Sequence, residues 1–279
     1  ARECLGIVGV GLIGGSVGLA ARRSCRYSPI LGVDRDPDAL ERAKARECID
    51  GVPAGLPALA KQADVLVICT PVHQIVDHVL LAAEHCRAKA LLTDAGSTKV
   101  DIIDAVESKF TKKRLFVGAH PLAGSQKSGA DNARADLFDQ STIVLTPTPK
   151  TPAEALRRGI AFWESLGGRS FVMTPADHDK AVALTSHLPH VVAAALAGLL
   201  TPDFKRVAAG GFRDTTRLAA GDPDLWTAIL MQNATNVSDA VGTLQERLAA
   251  FGEALRTGGA PLIRRLLTEA KGVRDDLGS

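Results

Sequence analysis

An apolar run, Cys4 to Val8, breaks directly into Gly9-Val10-Gly11-Leu12-Ile13-Gly14-Gly15-Ser16, and a second apolar run, Val17 to Ala21, follows at once. Strand, glycine turn and helix in that order limit what the chain can become. Gly9, Gly11 and Gly14 keep the G-x-G-x-x-G spacing. The first glycine permits a tight turn, the second lets a pyrophosphate approach the backbone, and the third lets the helix pack close to the strand. The free N–H groups and positive dipole end of that helix, at Leu12 and Ile13, then face the phosphates. Alone the spacing is weak; its context strengthens it. Ile30 to Val33 reads as a second strand ending at Asp34, where a carboxylate accepts hydrogen bonds from ribose hydroxyls and repels a 2′-phosphate. The expected cofactor is NAD rather than NADP, with Arg35 and the Thr70-Pro71 pair completing its lining. A glycine-rich turn without a ligand is the competing reading.

Through Thr146 strand and helix signals alternate. Helices are expected from Asp36-Pro37 to about Glu47, after Thr70-Pro71 to about His85, and on to Phe110. Strands are expected at Ala63–Cys69, Ala90–Thr93, Leu115–Gly118 and Ser141–Leu145. Near-continuous apolar strands between helices predict a parallel sheet covered on both faces, with ligands outside the carboxyl ends of the strands. Asp34, Thr70, Ser97 and His120 are expected just past strand ends, on one rim. A helix over Ala153–Leu166 and a strand over Ser170–Met173 complete a first domain, residues 1–173. From Pro175 the strand signal vanishes, so 174–279 reads as all-α. Thr174-Pro175 starts a long apolar helix to about Leu200, expected to be central and buried; further starts are expected at Asp214 and after Asp222-Pro223. Val237, Val241, Leu244, Leu248, Phe251 and Leu255 repeat every four and three residues, which suits either a seam against another subunit or an ordinary core stripe.

With 46% hydrophobic and 23% charged residues and a net charge of +2, the composition is that of an ordinary globular protein and does not point to nucleic acid. The longest apolar run, Val191 to Leu200, is too short to span a bilayer, and no secretory signal opens the chain. No membrane partner is expected. The five cysteines form no C-x-x-C and are expected as reduced thiols, which suits the cytoplasm.

The chemistry-bearing residues sort by position. His120, at the end of a strand that should face a nicotinamide, can take a hydroxyl proton as hydride leaves the same carbon, and Ser97 at the neighbouring strand end can bind that hydroxyl or orient the ring. His187 and His190, three apart in Ser186-His187-Leu188-Pro189-His190, share a helix face. They suit substrate contact, a core role, or metal ligation with Asp177 or Asp179; no third ligand has convincing spacing, so no metal is expected. Arg213 and Arg217 lie near an expected helix start, against its dipole, a placement that forking onto a substrate carboxylate would explain; solvated arginines are the alternative.

Gly9 to Ser16, Asp94 to Lys99, Gly118-Ala119-His120-Pro121-Leu122-Ala123-Gly124-Ser125-Gln126-Lys127-Ser128-Gly129, Ser186 to His190, and Gly211 to Ala219 followed by Asp222-Pro223 and Trp226 together resemble the prephenate/arogenate dehydrogenases of tyrosine biosynthesis. The resemblance spans nearly the whole chain. It implies an N-terminal Rossmann domain (a doubly wound parallel sheet), an all-α C-terminal dimerisation domain and an active site in the cleft between them. It implies NAD-dependent oxidative decarboxylation of prephenate to 4-hydroxyphenylpyruvate by a homodimer, with arogenate as the alternative substrate. By the same resemblance His120 bonds the ring hydroxyl beside Ser97, His190 and Arg217 bind substrate, and Ser125 and Gln126 line the pocket. Relatives often carry an acid at the position of Gln126 and a lysine at that of Arg213. Another β-hydroxyacid or imine-type dehydrogenase would instead use a helical-domain lysine, and Lys180, Lys205 and Lys271 sit in no convincing motif. The chain as read leaves no segment for a regulatory domain, so any tyrosine feedback is expected at the active site.

Overall fold

The computed structural model describes residues 2–110, 114–124, 127 and 129–278. Seven strands form one sheet: β1 (Glu3–Val8), β2 (Tyr27–Val33), β3 (Val65–Ile68), β4 (Leu91–Asp94), β5 (Leu115–Pro121), β6 (Thr142–Thr146) and β7 (Arg169–Val172), in the order β2-β1-β3-β4-β5-β6-β7. Six helices connect them: α1 (Leu12–Ser24), α2 (Pro37–Ala45), α3 (Leu56–Gln62), α4 (Val72–His85), α5 (Val100–Lys109) and α6 (Ala153–Ser165). Apolar residues of the strands point to both faces. One face packs with Val17, Ala20, Phe162 and Trp163, the other with Leu59, Ile75, Val79 and Ile102. The strand order reverses at β1, so the crevice between the ends of β1 and β3 is the switch point where such sheets take ligands.

Strands β1 to β5 run parallel, as expected, but β5 and β6 are antiparallel, with Gly118 opposite Thr146 and His120 opposite Val144. The reason lies in their connection. Its only described helical piece is the single 3-10 turn Ala130–Asn132, and the segment is tied to α1 and α2, with Arg134 N–H donating to Ser16 Oγ (3.0 Å) and Arg46 to the carbonyls of Asp131 and Ala133. Without a crossover helix the chain returns beside β5 in the opposite sense. That pairing extends β5 through His120, so the histidine lies within the strand's last residues rather than past its end. The short α3 was not expected from the pattern.

After β7 the chain is helical: α7 (Pro175–Val182), a π turn (Ala183–His187), α8 (Leu188–Gly198), a 3-10 turn (Pro202–Val207), α9 (Gly210–Thr216), a 3-10 turn (Arg217–Ala220), α10 (Pro223–Gln232), α11 (Ala234–Arg256) and α12 (Ala260–Asp276). Thr174 caps α7 by accepting from Asp177 N–H (3.1 Å), and Asp222 caps α10 by accepting from Leu225 N–H (2.9 Å). The expected single helix to Leu200 carries a π turn, in which Leu188 N–H reaches back to Ala183 O. Pro189 has no N–H to donate and its ring crowds the carbonyl four residues earlier, so the register widens there.

Three further expectations change. Asp214 caps nothing: α9 starts at Gly210, so Arg213 lies in its last turn and Arg217 at its C-terminal cap, where the dipole favours a cation. Asn233 separates α10 from α11, so the heptad seam belongs to α11 alone. Pro175–Gly198 is continuously helical over 24 residues and apolar enough by length and composition to cross a membrane, and a third of its most apolar window is buried in this chain. Its partial exposure replaces the central, fully buried helix expected. Its inward face carries polar residues bonded to the sheet domain, described next.

Candidate active site

The glycine turn is built as its spacing requires. Gly9 adopts φ +88°, and a Cβ there would come within 2.9 Å of Cys69 O. A Cβ on Gly14 would lie 1.9 Å from Gly9 O, so only glycine lets α1 sit this close to the strand end. Around Gly11, its own chain neighbours aside, no atom lies within 4 Å of where a Cβ would stand, which leaves open space over the turn. Gly11 begins α1 with no side-chain cap and no acid in the first turn, so the amides of Leu12, Ile13 and Gly14 are available to an anion. Asp34 directly follows β2; its Oδ2 accepts from Val10 N–H (2.9 Å) and its Oδ1 from Asp36 N–H (3.0 Å), which fixes the carboxylate at the rim of this turn. Arg35 is exposed beside it, and Thr70 and the exposed Pro71 follow β3. Thr70 Oγ1 bonds His78 Nδ1 at 3.0 Å. These residues fit a dinucleotide: free helix amides, a cradle a side chain would fill, and a carboxylate at the end of β2.

His120, near the end of β5, stands three places along the sheet from β1 on the same rim and keeps part of its surface open. Its Nδ1 is 2.9 Å from His178 Nε2, and the rings meet edge to face at 71°. His178 Nδ1 is in turn 2.7 Å from Asp179 Oδ1. Asp179 also accepts the first amides of α5, from Lys99 (2.8 Å) and Val100 (2.9 Å). Burial, with His178, Lys99 and His187 nearby, holds the His120 pKa well below the ordinary 6.5, so the imidazole is unprotonated near pH 7. Behind it the fully buried Lys99 pairs with Asp94 and donates to Ala119 O (2.9 Å), while Asp94 Oδ1 accepts from Ala119 N–H (3.1 Å). Both main-chain groups next to His120 are thus clamped. Burial lowers the Lys99 pKa and Asp94 opposes the shift. Ser97 lies partly exposed on the bend after β4, which Asp94 tightens by accepting from Gly96 N–H (2.9 Å).

The helical residues approach from the other side. His187, buried at the end of the π turn, has Nδ1 3.1 Å from Asn233 Nδ2, and burial brings its pKa down to about 4. His190 lies flat on Trp226, centroids 3.6 Å apart at 14°; burial lowers its pKa and its Nδ1 has no hydrogen-bond partner. His187 meets the same indole edge-on. Gly221 leaves room for this stack, since a Cβ there would lie 2.6 Å from Trp226 Nε1 and 2.8 Å from His190 Cε1. The turn Arg217–Ala220 packs on α8 and leads into Gly221. Arg217 and Arg213 are exposed, and neither forms an ion pair among the described residues. Ser125 and Gln126 lie outside the described residues. His187 and His190 are engaged separately, by Asn233 and Trp226. Among the described residues no group of three or more His, Cys, Asp or Glu side chains could hold a metal ion.

The sequence reading passed over His178 and Asn233 and considered Asp179 only as a metal ligand. The available signal was Asp177-His178-Asp179, one turn inside a capped helix that leaves the sheet domain.

The profile of the prephenate dehydrogenase nucleotide-binding domain matches residues 17–172, and that of the prephenate dehydrogenase dimerization domain matches 174–269. The chain belongs to the prephenate dehydrogenase family. It is an NAD-dependent oxidoreductase. It is 35% identical to cyclohexadienyl dehydrogenase of Zymomonas mobilis over 82% of this chain and 80% of that one. It superposes on prephenate dehydrogenase from Aquifex aeolicus, solved in complex with hydroxyphenyl propionate and NAD+, with TM-score 0.91 and 31% identity over 99% of both chains. Arogenate dehydrogenase from Synechocystis matches with TM-score 0.81 and 33% identity, over 98% of this chain and 99% of that one. A 3-hydroxyisobutyrate dehydrogenase from Mycobacterium tuberculosis, at 16% identity and TM-score 0.54, shares the fold alone.

Proposed function

We propose that this member of the family oxidises prephenate with NAD+ and releases 4-hydroxyphenylpyruvate and CO2. The observation that carries the assignment of roles is His120 on the rim shared with the glycine turn, its Nδ1 2.9 Å from Nε2 of His178 in the helical half. The Gly9–Gly14 turn and the amides of Leu12 and Ile13 would hold the pyrophosphate, Asp34 would read the adenosine ribose, and Arg35, Thr70 and Pro71 would wall the nucleotide. NAD+ supplies a hydride acceptor. His120 takes the proton from the ring hydroxyl, with Ser97 beside it, as the hydride leaves the same carbon. The dienone so formed is a vinylogous β-keto acid, so the ring carboxylate leaves as CO2 and its bonding electrons aromatise the ring. Arg217, with Arg213 and His190 nearby, anchors substrate carboxylate, and His187 contributes a further polar contact. Ser125 and Gln126 belong to the pocket loop. The enzyme works as a homodimer through its C-terminal helices, in the cytoplasm; all five cysteines are free, which suits a reducing compartment.

Arogenate is the second reading, favoured by the likeness to the Synechocystis enzyme; the two substrates differ only in a side-chain keto or amino group. One assay decides: prephenate and L-arogenate, each with NAD+ and NADP+, followed by reduced cofactor and CO2 release. The expected result is highest kcat/KM for prephenate with NAD+. Absence of turnover in all four combinations removes the assignment.

A further inference from the structure

The buried polar residues behind the two site imidazoles form one hydrogen-bonded tree rooted in Asp179. We infer that Asp179 is a positioning residue that sets the tautomers of both: through His178 it holds His120 as the Nδ1–H form with its Nε2 lone pair open, and through Asn233 it holds His187 as the Nε2–H form.

The first branch runs through the carboxylate. Its Oδ1 and Oδ2 accept the amides of Lys99 and Val100, at 2.8 and 2.9 Å, so α5 locks the group in place from the other domain. A carboxylate can only accept. The 2.7 Å contact between Oδ1 and His178 Nδ1 therefore requires a proton on that nitrogen. A neutral imidazole protonated at Nδ1 has its lone pair at Nε2. That Nε2 is 2.9 Å from His120 Nδ1, so with His178 neutral, as the inference requires, His120 is the donor and its Nε2 is left as the base. The chain of acceptor, histidine and histidine thus leaves the reacting imidazole with its lone pair on the nitrogen not tied to protein.

The second branch runs through the main chain of the same residue. Asp179 O accepts from Asn233 Nδ2 at 2.7 Å. A carbonyl cannot donate, which fixes the end of the Asn233 amide that carries hydrogens, and Asn236 Nδ2 donating to Asn233 Oδ1 at 2.7 Å agrees. The same NH2 group lies 3.1 Å from His187 Nδ1, which must accept. His187 therefore carries its proton on Nε2 and offers a donor, and its pKa of about 4 keeps it neutral at working pH. The site receives one acceptor nitrogen and one donor nitrogen from a single buried residue. That complementarity suits a substrate with one hydroxyl to deprotonate and carboxylate or carbonyl oxygens to bind.

The inference rests on the reading of His120 as the base, and its test is chosen to stand apart from turnover. Full-length protein labelled with 15N-histidine, at slightly alkaline pH, gives long-range 1H–15N correlations that report the tautomer of each ring; single His→Gln variants assign them. Protons on Nδ1 of His120 and His178 and on Nε2 of His187 are expected. A proton on Nε2 of His120, on Nδ1 of His187, or on both nitrogens of His178 overturns the inference, whatever the enzyme turns over. Kinetics supply the second arm. His178→Phe removes the acceptor for His120 and is expected to lower kcat about 10- to 100-fold while both KM values stay within about threefold. His178→Gln, whose Oε1 can accept from His120 Nδ1, is expected to recover most of the loss. Wild-type kcat in the Phe variant, or equal losses in both variants with KM rising in step, overturns it.

Discussion

In the proposed reaction His120 is the base, and it can act only while it is unprotonated. Burial and the neighbouring His178, Lys99 and His187 disfavour its charged form. Its active state therefore persists below the ordinary histidine value and is lost as pH falls through the lowered pKa. The acid limb of kcat is expected below pH 6.5; a limb above that value would contradict the assignment. His120→Asn removes the base while keeping a polar side chain, and kcat is expected to drop about 10²- to 10⁴-fold with KM for NAD+ little changed. Arg217 is a different kind of residue. It is exposed and lacks an ion-pair partner among the described residues, so its charge is available to a ligand. A charge-assisted contact with a carboxylate is worth about 1.5–3 kcal/mol, and Arg217→Ala is expected to raise substrate KM about 10- to 100-fold while leaving KM for NAD+ alone. Equal rises in both would remove that role. His120 and Arg217 stand out in the sequence through motif position. His178 and Asp179 do not, because contacts between distant segments have no fixed spacing: His178 sits 58 residues along the chain from His120, the ring it touches.

Elements record how the same chain handles close approach. The turn into α1 works because Gly14 has no side chain, and this was legible from spacing alone. Gly14→Ala would place a methyl 1.9 Å from Gly9 O, a backbone atom that cannot swing away. The helix must shift off the strand end, at a cost of about 1–3 kcal/mol, and its N-terminal amides move with it. Both a lower urea midpoint and a KM for NAD+ raised at least several-fold are expected; a variant with wild-type stability and NAD+ affinity would contradict the role of the third glycine. The strands and the caps at Asp36, Thr174 and Asp222 were equally legible, since apolar runs and cap chemistry are local. The sense of β6 was not. It depends on whether the segment before it forms a crossover helix, and here it is tied instead to α1 and α2. The start of α9 was misplaced for a related reason: Asp214 resembles a cap residue, but two glycines before it already adopt helical conformation.

At the scale of the molecule, the two halves are joined by buried polar contacts and by α10, whose Ile229 packs into the sheet domain's core beside α4. The seam of α11 is less satisfied. Val237 is buried, but Leu248 and Leu255 are 59% and 70% exposed in the isolated chain. The proposed homodimer would cover them, so wild-type protein is expected to sediment as a dimer and Leu248→Glu with Leu255→Glu as a monomer; an unchanged mass would contradict a subunit contact along this seam. The histidines supply a last whole-molecule consequence. His187 has a pKa of about 4 when folded against an ordinary 6.5, and those of His120 and His190 are lowered as well. Between those values the unfolded chain binds protons that the folded one refuses. Stability is therefore complete above pH 6.5 and falls as pH drops toward 4. At about 1.4 kcal/mol per pH unit, His187 alone accounts for a loss of about 3 kcal/mol across that window. Carboxylates act elsewhere: Asp50 and Asp139, held below the ordinary 3.8 chiefly by hydrogen bonds and their arginine partners, give up stability only at lower pH. Urea midpoints measured from neutral pH down to about pH 4.5 are expected to fall steadily, and His187→Gln is expected to flatten part of that slope. A midpoint that rose on acidification would mean that these imidazoles charge readily in the folded protein, and the proposed chemistry would lose the neutral site it requires.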